Sequence, residues 1–208
     1  MALRYQRHPH RVYDSDRVAL VGFNDQGFVI SPPKTPHEPV LQQSVANLHK
    51  KVSGHFTNIT DGLRKALVLI ERVPRGVLRR CWLLTDGYPN PRSNDVLDVA
   101  RQAYRLHCNL MTVGFGNPGD YDEQLLRQIS AATHNGKYVS VQSLAELTKA
   151  LVSTDTGVHR RRRHRAEVSV LIIDLSGSMT RQMGNTTKIA VVEQAILQLL
   201  YYKQQLFA

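Results

Sequence analysis

The sequence predicts an α/β protein: a doubly wound, mostly parallel central sheet with helices on both faces and one antiparallel edge hairpin. Three observations carry this. Apolar strands alternate with amphipathic helical stretches along most of the 208 residues. Several strands are near-continuous runs of Val, Ile and Leu, the composition of strands covered on both faces. The first two strands are separated only by Asn24-Asp25-Gln26-Gly27, a turn short enough to require an antiparallel pair.

The elements follow in order. Residues 17–23 (RVALVGF) read as a strand and 27–31 (GFVIS) as its hairpin partner. The Pro-rich stretch 31–39 reads as a loop. Residues 40–51 form an amphipathic helix with Leu41, Val45 and Leu48 on one stripe, and 61–73 a second helix stopped by Pro74. Residues 80–85 (RCWLLT) are a strand bounded by Asp86-Gly87. A helix over 94–107, a strand over 109–115, a helix over 121–133, a short strand over 137–141 and a helix capped by Ser143 continue the alternation. After an arginine-rich stretch comes 168–173 (VSVLII), the most apolar strand of the chain. Its composition predicts a central place, beside both the 17–23 and the 80–85 strands. A long helix over 188–205 closes the pattern.

Bulk properties narrow the class. The length suits one domain, and 42% hydrophobic with 21% charged residues is ordinary for a globular chain. No apolar run approaches the roughly 18–20 residues needed to span a bilayer, so no membrane span is expected. The N-terminus lacks the apolar segment of a secretory signal. Two cysteines, Cys81 and Cys108, cannot build a disulfide framework and read as reduced core thiols. A cytoplasmic location is therefore expected. The net charge of +10 owes much to the run Arg160-Arg161-Arg162-Arg163-His164-Arg165. Such a run reads first as a solvated linker and second as a nucleic-acid or acidic-surface contact. No aromatic residue interleaves with it to form a stacking platform.

The chemistry gathers in three loops. Asp174-x-Ser176-x-Ser178 follows strand 168–173, Thr57 lies in Gly54-His55-Phe56-Thr57-Asn58-Ile59 before a helix, and Asp86 follows strand 80–85. In open α/β sheets ligands bind in the crevice beyond the carboxyl ends of the strands. All five side chains are hard oxygen donors, which suit magnesium, with manganese or calcium as alternatives, rather than zinc or copper. Alternate residues 174, 176 and 178 can turn toward one point, with Gly177 expected to make the sharp turn between the serines. Three hydroxyls bring no negative charge. A divalent ion held mainly by them stays under-neutralised and favours one more anionic ligand from outside.

Together the DLSGSM, FTNI and LLTDG segments resemble the metal-ion-dependent adhesion site of von Willebrand factor A domains. The resemblance implies a Rossmann-like fold and a metal held, directly or through water, by Asp174, Ser176, Ser178, Thr57 and Asp86. It spans nearly the whole chain apart from residues 1–15 and 153–166. One departure is large: in that family the DxSxS strand and its helix come first, and here they come last. The order therefore resembles a circular permutation. Residues 1–15 are a tail, 16–152 the second part of the family order, 153–166 an Arg-rich linker, and 167–208 the first strand, DxSxS loop and first helix, all one domain. The linker joins elements at the end of the sheet away from the site, so permutation leaves the metal loops intact.

Three competing patterns are weaker. Gly114-Phe115-Gly116-Asn117-Pro118-Gly119 matches a dinucleotide fingerprint, but Asp120, Asp122 and Glu123 would repel a pyrophosphate and Pro118 removes a donor. Ser176 and Ser178 lack the first glycine of a nucleophile elbow. Asp174 with Asp86 as an acid–base pair leaves the converging hydroxyls unexplained. The expected function is therefore not enzymatic. It is cation-dependent capture of a protein partner that supplies a Glu or Asp to the metal. The alternative is an RNA-binding or acidic-surface module using 160–165. A monomer is expected, with a swapped dimer as the alternative.

Overall fold

The computed structural model describes residues 15–89, 95–117, 119–153 and 166–206. The arginine run 160–165, Pro118 and nearly all of the expected tail and linker lie outside the described residues. The elements are β1 (Arg17–Phe23), β2 (Gly27–Lys34), α1 (Pro39–Ala46), α2 (Ile59–Glu71), β3 (Leu78–Thr85), α3 (Val96–Arg105) and β4 (Cys108–Phe115). They continue as α4 (Glu123–Ala131), β5 (Lys137–Val141), α5 (Leu144–Ser153), β6 (Glu167–Asp174), β7 (Gln182–Met183), β8 (Thr186–Thr187) and α6 (Lys188–Gln205).

Six strands form one sheet in the order β2-β1-β6-β3-β4-β5, parallel except for β2, which pairs antiparallel with β1 at the edge. The last long strand, β6, lies between β1 and β3, where its composition predicts it, and all eight of its residues are buried. Side chains alternate between two cores. Val168, Val170 and Ile172 of β6 join Ala19, Val21, Cys81 and Leu83 beneath α2, α3 and α4. Leu171 and Ile173 join Val18, Leu20, Trp82 and Leu84 beneath α1, α5 and α6. Among the described residues no helix is long and apolar enough to cross a membrane.

Local chemistry accounts for the differences from the sequence reading. β2 runs on through Pro32 and Pro33 to Lys34, because an outer edge strand tolerates residues without a donor and the β1–β2 register is shifted there. The helix expected over 40–51 breaks at Asn47, whose side-chain amide donates to the Gln43 carbonyl at 2.7 Å, and resumes as a 3-10 turn, Leu48–Lys51. α2 starts earlier than expected because the Asn58 side chain accepts from the Asp61 amide at 3.1 Å and caps it. The small hairpin β7–β8 was not expected. Its turn is Gly184-Asn185, with Gly184 at φ 63°, but two residues on each side give no alternation to read.

The base of the sheet holds a buried ionic cluster. The Lys203 ammonium near the end of α6 lies 2.6 Å from Asp16 Oδ2 and 3.1 Å from Glu167 Oε1, all three residues being buried. Arg80 reaches Glu167 Oε2 at 3.1 Å, Ser169 donates to Glu167, and the Glu167 amide donates to Asp16 Oδ1 at 2.9 Å. Burial pushes the Glu167 carboxyl up, but Lys203 and Arg80 more than offset this and hold it below its ordinary range. Cys81 and Cys108 are free, buried thiols with sulfurs 3.5 Å apart. Removing one partner of a buried pair strands the other charge, which typically costs about 3–5 kcal/mol. Replacing Lys203 with Ala should destabilise the chain by that amount in urea unfolding. A loss below about 0.5 kcal/mol, the scale of ordinary surface changes, would show that the cluster contributes nothing.

Candidate metal centre

Asp174 ends β6 and carries the chain into the Ser176 and Ser178 loop, which becomes a 3-10 turn, Gly177–Thr180. Three backbone bonds tie this loop to its neighbours. Leu175 donates to the Phe23 carbonyl at 2.7 Å, Ser53 to the Leu175 carbonyl at 2.9 Å, and Gly177 to the Gly54 carbonyl at 3.2 Å. The loop bearing Thr57 is thereby laid against the serine loop. It is braced from below by Asp25, whose Oδ1 accepts the His55 and Phe56 amides at 3.2 and 2.9 Å. The Asn58 amide adds a bond to the Asn24 carbonyl at 2.8 Å.

The glycine roles differ from the sequence reading. Gly177 does not adopt the left-handed region; Gly54 does, with φ 84°. At Gly177 a Cβ would meet the Gly54 carbonyl oxygen at 3.4 Å, an ordinary van der Waals contact.

The structure brings all five expected side chains to one place. Ser176 Oγ and Ser178 Oγ are 2.9 Å apart, and Ser178 donates to Asp86 Oδ1 at 2.6 Å. Asp174 Oδ1 accepts the Ser176 amide at 2.9 Å. Thr57 stands across Gly87: a Cβ on that glycine would lie 3.1 Å from Thr57 Oγ1 and 3.9 Å from Asp174 Oδ2. Asp174, Ser176, Asp86 and Thr57 are all buried.

Two participants escaped sequence reading. Thr85, the last residue of β3, donates to Asp174 Oδ2 at 2.6 Å and fixes that carboxylate's rotation. Lys188, the first residue of α6, places its ammonium 2.8 Å from Asp86 Oδ2. A cation at a helix N-terminus opposes the helix dipole, and that was the available clue to a nearby anion.

Burial dominates the electrostatics. It raises the Asp174 carboxyl from 3.8 to about 6, against the opposing bonds from Thr85 and Ser176, with the Asp86 charge adding to the rise. The donor set fits a hard divalent cation: two carboxylates and three hydroxyls gather beside Gly87, where a Cβ would crowd Thr57 Oγ1 at 3.1 Å. Among the described residues no group of three or more His, Cys, Asp or Glu could hold a metal, so any ion here depends on hydroxyls.

The pH consequence has a definite sign. Between about pH 4 and pH 6 the folded chain keeps a proton on Asp174 that the unfolded chain has lost. Stability from this group is therefore greatest below the lower value and falls as pH rises to about 6, by about 3 kcal/mol at most. With chelator present, Asp174→Asn should gain stability relative to the parent chain between pH 4 and pH 7. A difference in urea midpoints that stays flat with pH would contradict the assignment.

Comparison with known proteins adds three findings. A family model described as von Willebrand factor type A domain matches residues 10–153, taking in Thr57 and Asp86 and stopping before β6. No curated protein matches the chain. Among solved structures, proximal thread matrix protein 1 from the mussel byssus is similar in one crystal form at 20% identity and TM-score 0.45. The same protein with a zinc-occupied MIDAS motif is similar at 22% identity and TM-score 0.45. Each match covers 60% of this chain and 30% of the byssus protein, so the chain spans under a third of those proteins' length. An uncharacterized membrane-spanning protein from Vibrio fischeri is similar at 23% identity and TM-score 0.31, over 68% of this chain and 75% of that one.

Proposed function

We propose that this chain, which belongs to the von Willebrand factor type A domain family, binds a protein partner reversibly through a divalent cation, magnesium first. The observation that carries the reading is the donor set: three hydroxyls and only two carboxylates on loops that hydrogen-bond one another at one end of the sheet. Asp174, Ser176, Ser178, Thr57 and Asp86 would hold the ion, and the bound ion would supply a Lewis-acidic contact for a partner's Glu or Asp. Thr85 and the Ser176 amide orient Asp174. Asp25 holds the Thr57 loop in place through two backbone amides. Ser178 and Asp86 set each other's rotamers.

A binding role rather than catalysis is part of the proposal. The Ser176 and Ser178 hydroxyls bond to each other and to Asp86, and no histidine is among their partners within the described residues. A cytoplasmic setting is proposed with it, supported by the free thiols Cys81 and Cys108.

The same proposal includes a permuted chain order. The position of β6 between β1 and β3 supports it, as does a family match that ends before β6, since one linear match cannot return to an element placed out of order. A rearranged chain with residues 166–206 moved ahead of Asp16 should then fold with unchanged near-ultraviolet dichroism. Failure of that chain to fold would count against the permutation.

Calorimetry tests the metal reading directly. Asp174→Ala should weaken magnesium binding by more than the ~10–100-fold that outer-sphere partners typically contribute. Unchanged affinity in a folded variant would remove Asp174 from the site.

A further inference from the structure

We infer that Lys188 is an internal counter-cation that makes the metal and the partner's acid bind as a pair, an inference that rests on the metal reading above. The Lys188 side chain is only 7% exposed and its partner Asp86 is fully buried, so this ion pair is largely shielded from solvent. The two oxygens of Asp86 are divided: Oδ1 accepts from Ser178, on the donor side, and Oδ2 lies 2.8 Å from the ammonium. Room for the ammonium comes in part from Gly116, with φ 124°, because a Cβ there would lie 3.2 Å from Lys188 Nζ and 2.7 Å from Asp120 Oδ2. Lys188 is placed against the local helix dipole, so its position is held by Asp86 rather than by the helix, while Asp120 is exposed and pairs with the Asn117 amide.

Charge counting gives the consequence. Asp174 and Asp86 together contribute two negative charges, and Lys188 returns one positive charge. A divalent ion would leave the loaded centre with a net single positive charge, and one partner carboxylate would bring it to zero. Without Lys188 the ion alone would reach neutrality, and the incoming carboxylate would leave the centre negative. Buried charge is costly unless it is balanced. Lys188 therefore shifts the balanced state from ion alone to ion plus carboxylate. It weakens the empty-handed metal complex and strengthens the ternary one. By linkage the two ligands then raise each other's affinity by the same factor, typically 5- to 150-fold.

The experiment is a manganese titration of the full chain at pH 7.5 and constant ionic strength, with manganese alone and with excess acetate, for the parent, Lys188→Met, Lys188→Gln and Lys188→Arg. The parent should bind manganese weakly alone and about 5-fold or more tighter with acetate. Lys188→Met should bind manganese alone more tightly by a similar factor and lose most of the acetate effect; Lys188→Arg should behave as the parent. A gain in affinity cannot come from a damaged fold. If Lys188→Met does not fold by circular dichroism, Lys188→Gln is read in its place, and the parent's acetate response stands on its own. Unchanged or weaker manganese binding in the neutral variants overturns the inference, as does a parent that ignores acetate. If neither the parent nor any Lys188 variant binds manganese, the metal reading itself falls, and the inference with it.

Discussion

One ammonium group, that of Lys203, holds the base of three elements together: β1 through Asp16, β6 through Glu167, and α6, on which it sits. Register at the far end of the sheet depends on it. A strand rises about 3.3 Å per residue, and a two-residue slip preserves the alternation of faces while carrying the strand end about 7 Å along the sheet. The core apolar side chains of β6 would accept such a slip with little protest, since Val, Leu and Ile occupy both faces. The buried charges would not. They pin Glu167, and with it Asp174 at the other end of the same strand, opposite Phe23. The loops bearing the five oxygen donors inherit their alignment from an interaction at the opposite side of the molecule.

Helix α6 emerges as a rod anchored by charge at both ends. Lys188 meets Asp86 at the site and Lys203 meets Asp16 and Glu167 at the base. The two lysines are electrostatically unlike. Lys203 lies in the last turn, where the helix dipole favours a cation, while Lys188 lies in the first, where it does not. A residue held against the field of its own helix is a poor choice for stability and a reasonable one for function, because the carboxylate that retains it, Asp86, is one the site would share with a ligand.

Much of this was legible in the sequence. The five donors were readable because each lies just beyond or before an element whose apolar pattern is clear: VSVLII before Asp174, LLT before Asp86, and the capped helix after Thr57. The central position of β6 followed from its lack of any polar face. Thr85 and Lys188 stayed hidden for a different reason. Their partners lie 89 and 102 residues away, and no local period encodes such a pairing. The base cluster was equally silent, with Lys203 and Asp16 separated by 187 residues. The turn at Gly177 was misread because two glycines flank the site in sequence and nothing local says which takes the left-handed angle; in the fold it is Gly54.

The place of β6 in the sheet also bears on how the molecule is made. Among the described residues β1 pairs only with β2 and β6, and β3 only with β4 and β6. While the ribosome has delivered β1 to β5 and not yet β6, the chain can form a hairpin and a three-stranded fragment, but nothing hydrogen-bonds one to the other. Each fragment then presents an open strand edge, the kind of surface that recruits other chains. Synthesis must run past Asp174 before the two halves can be joined, so the sheet closes late and from the middle. For a nascent chain, the strand that ends in Asp174 is also the keystone.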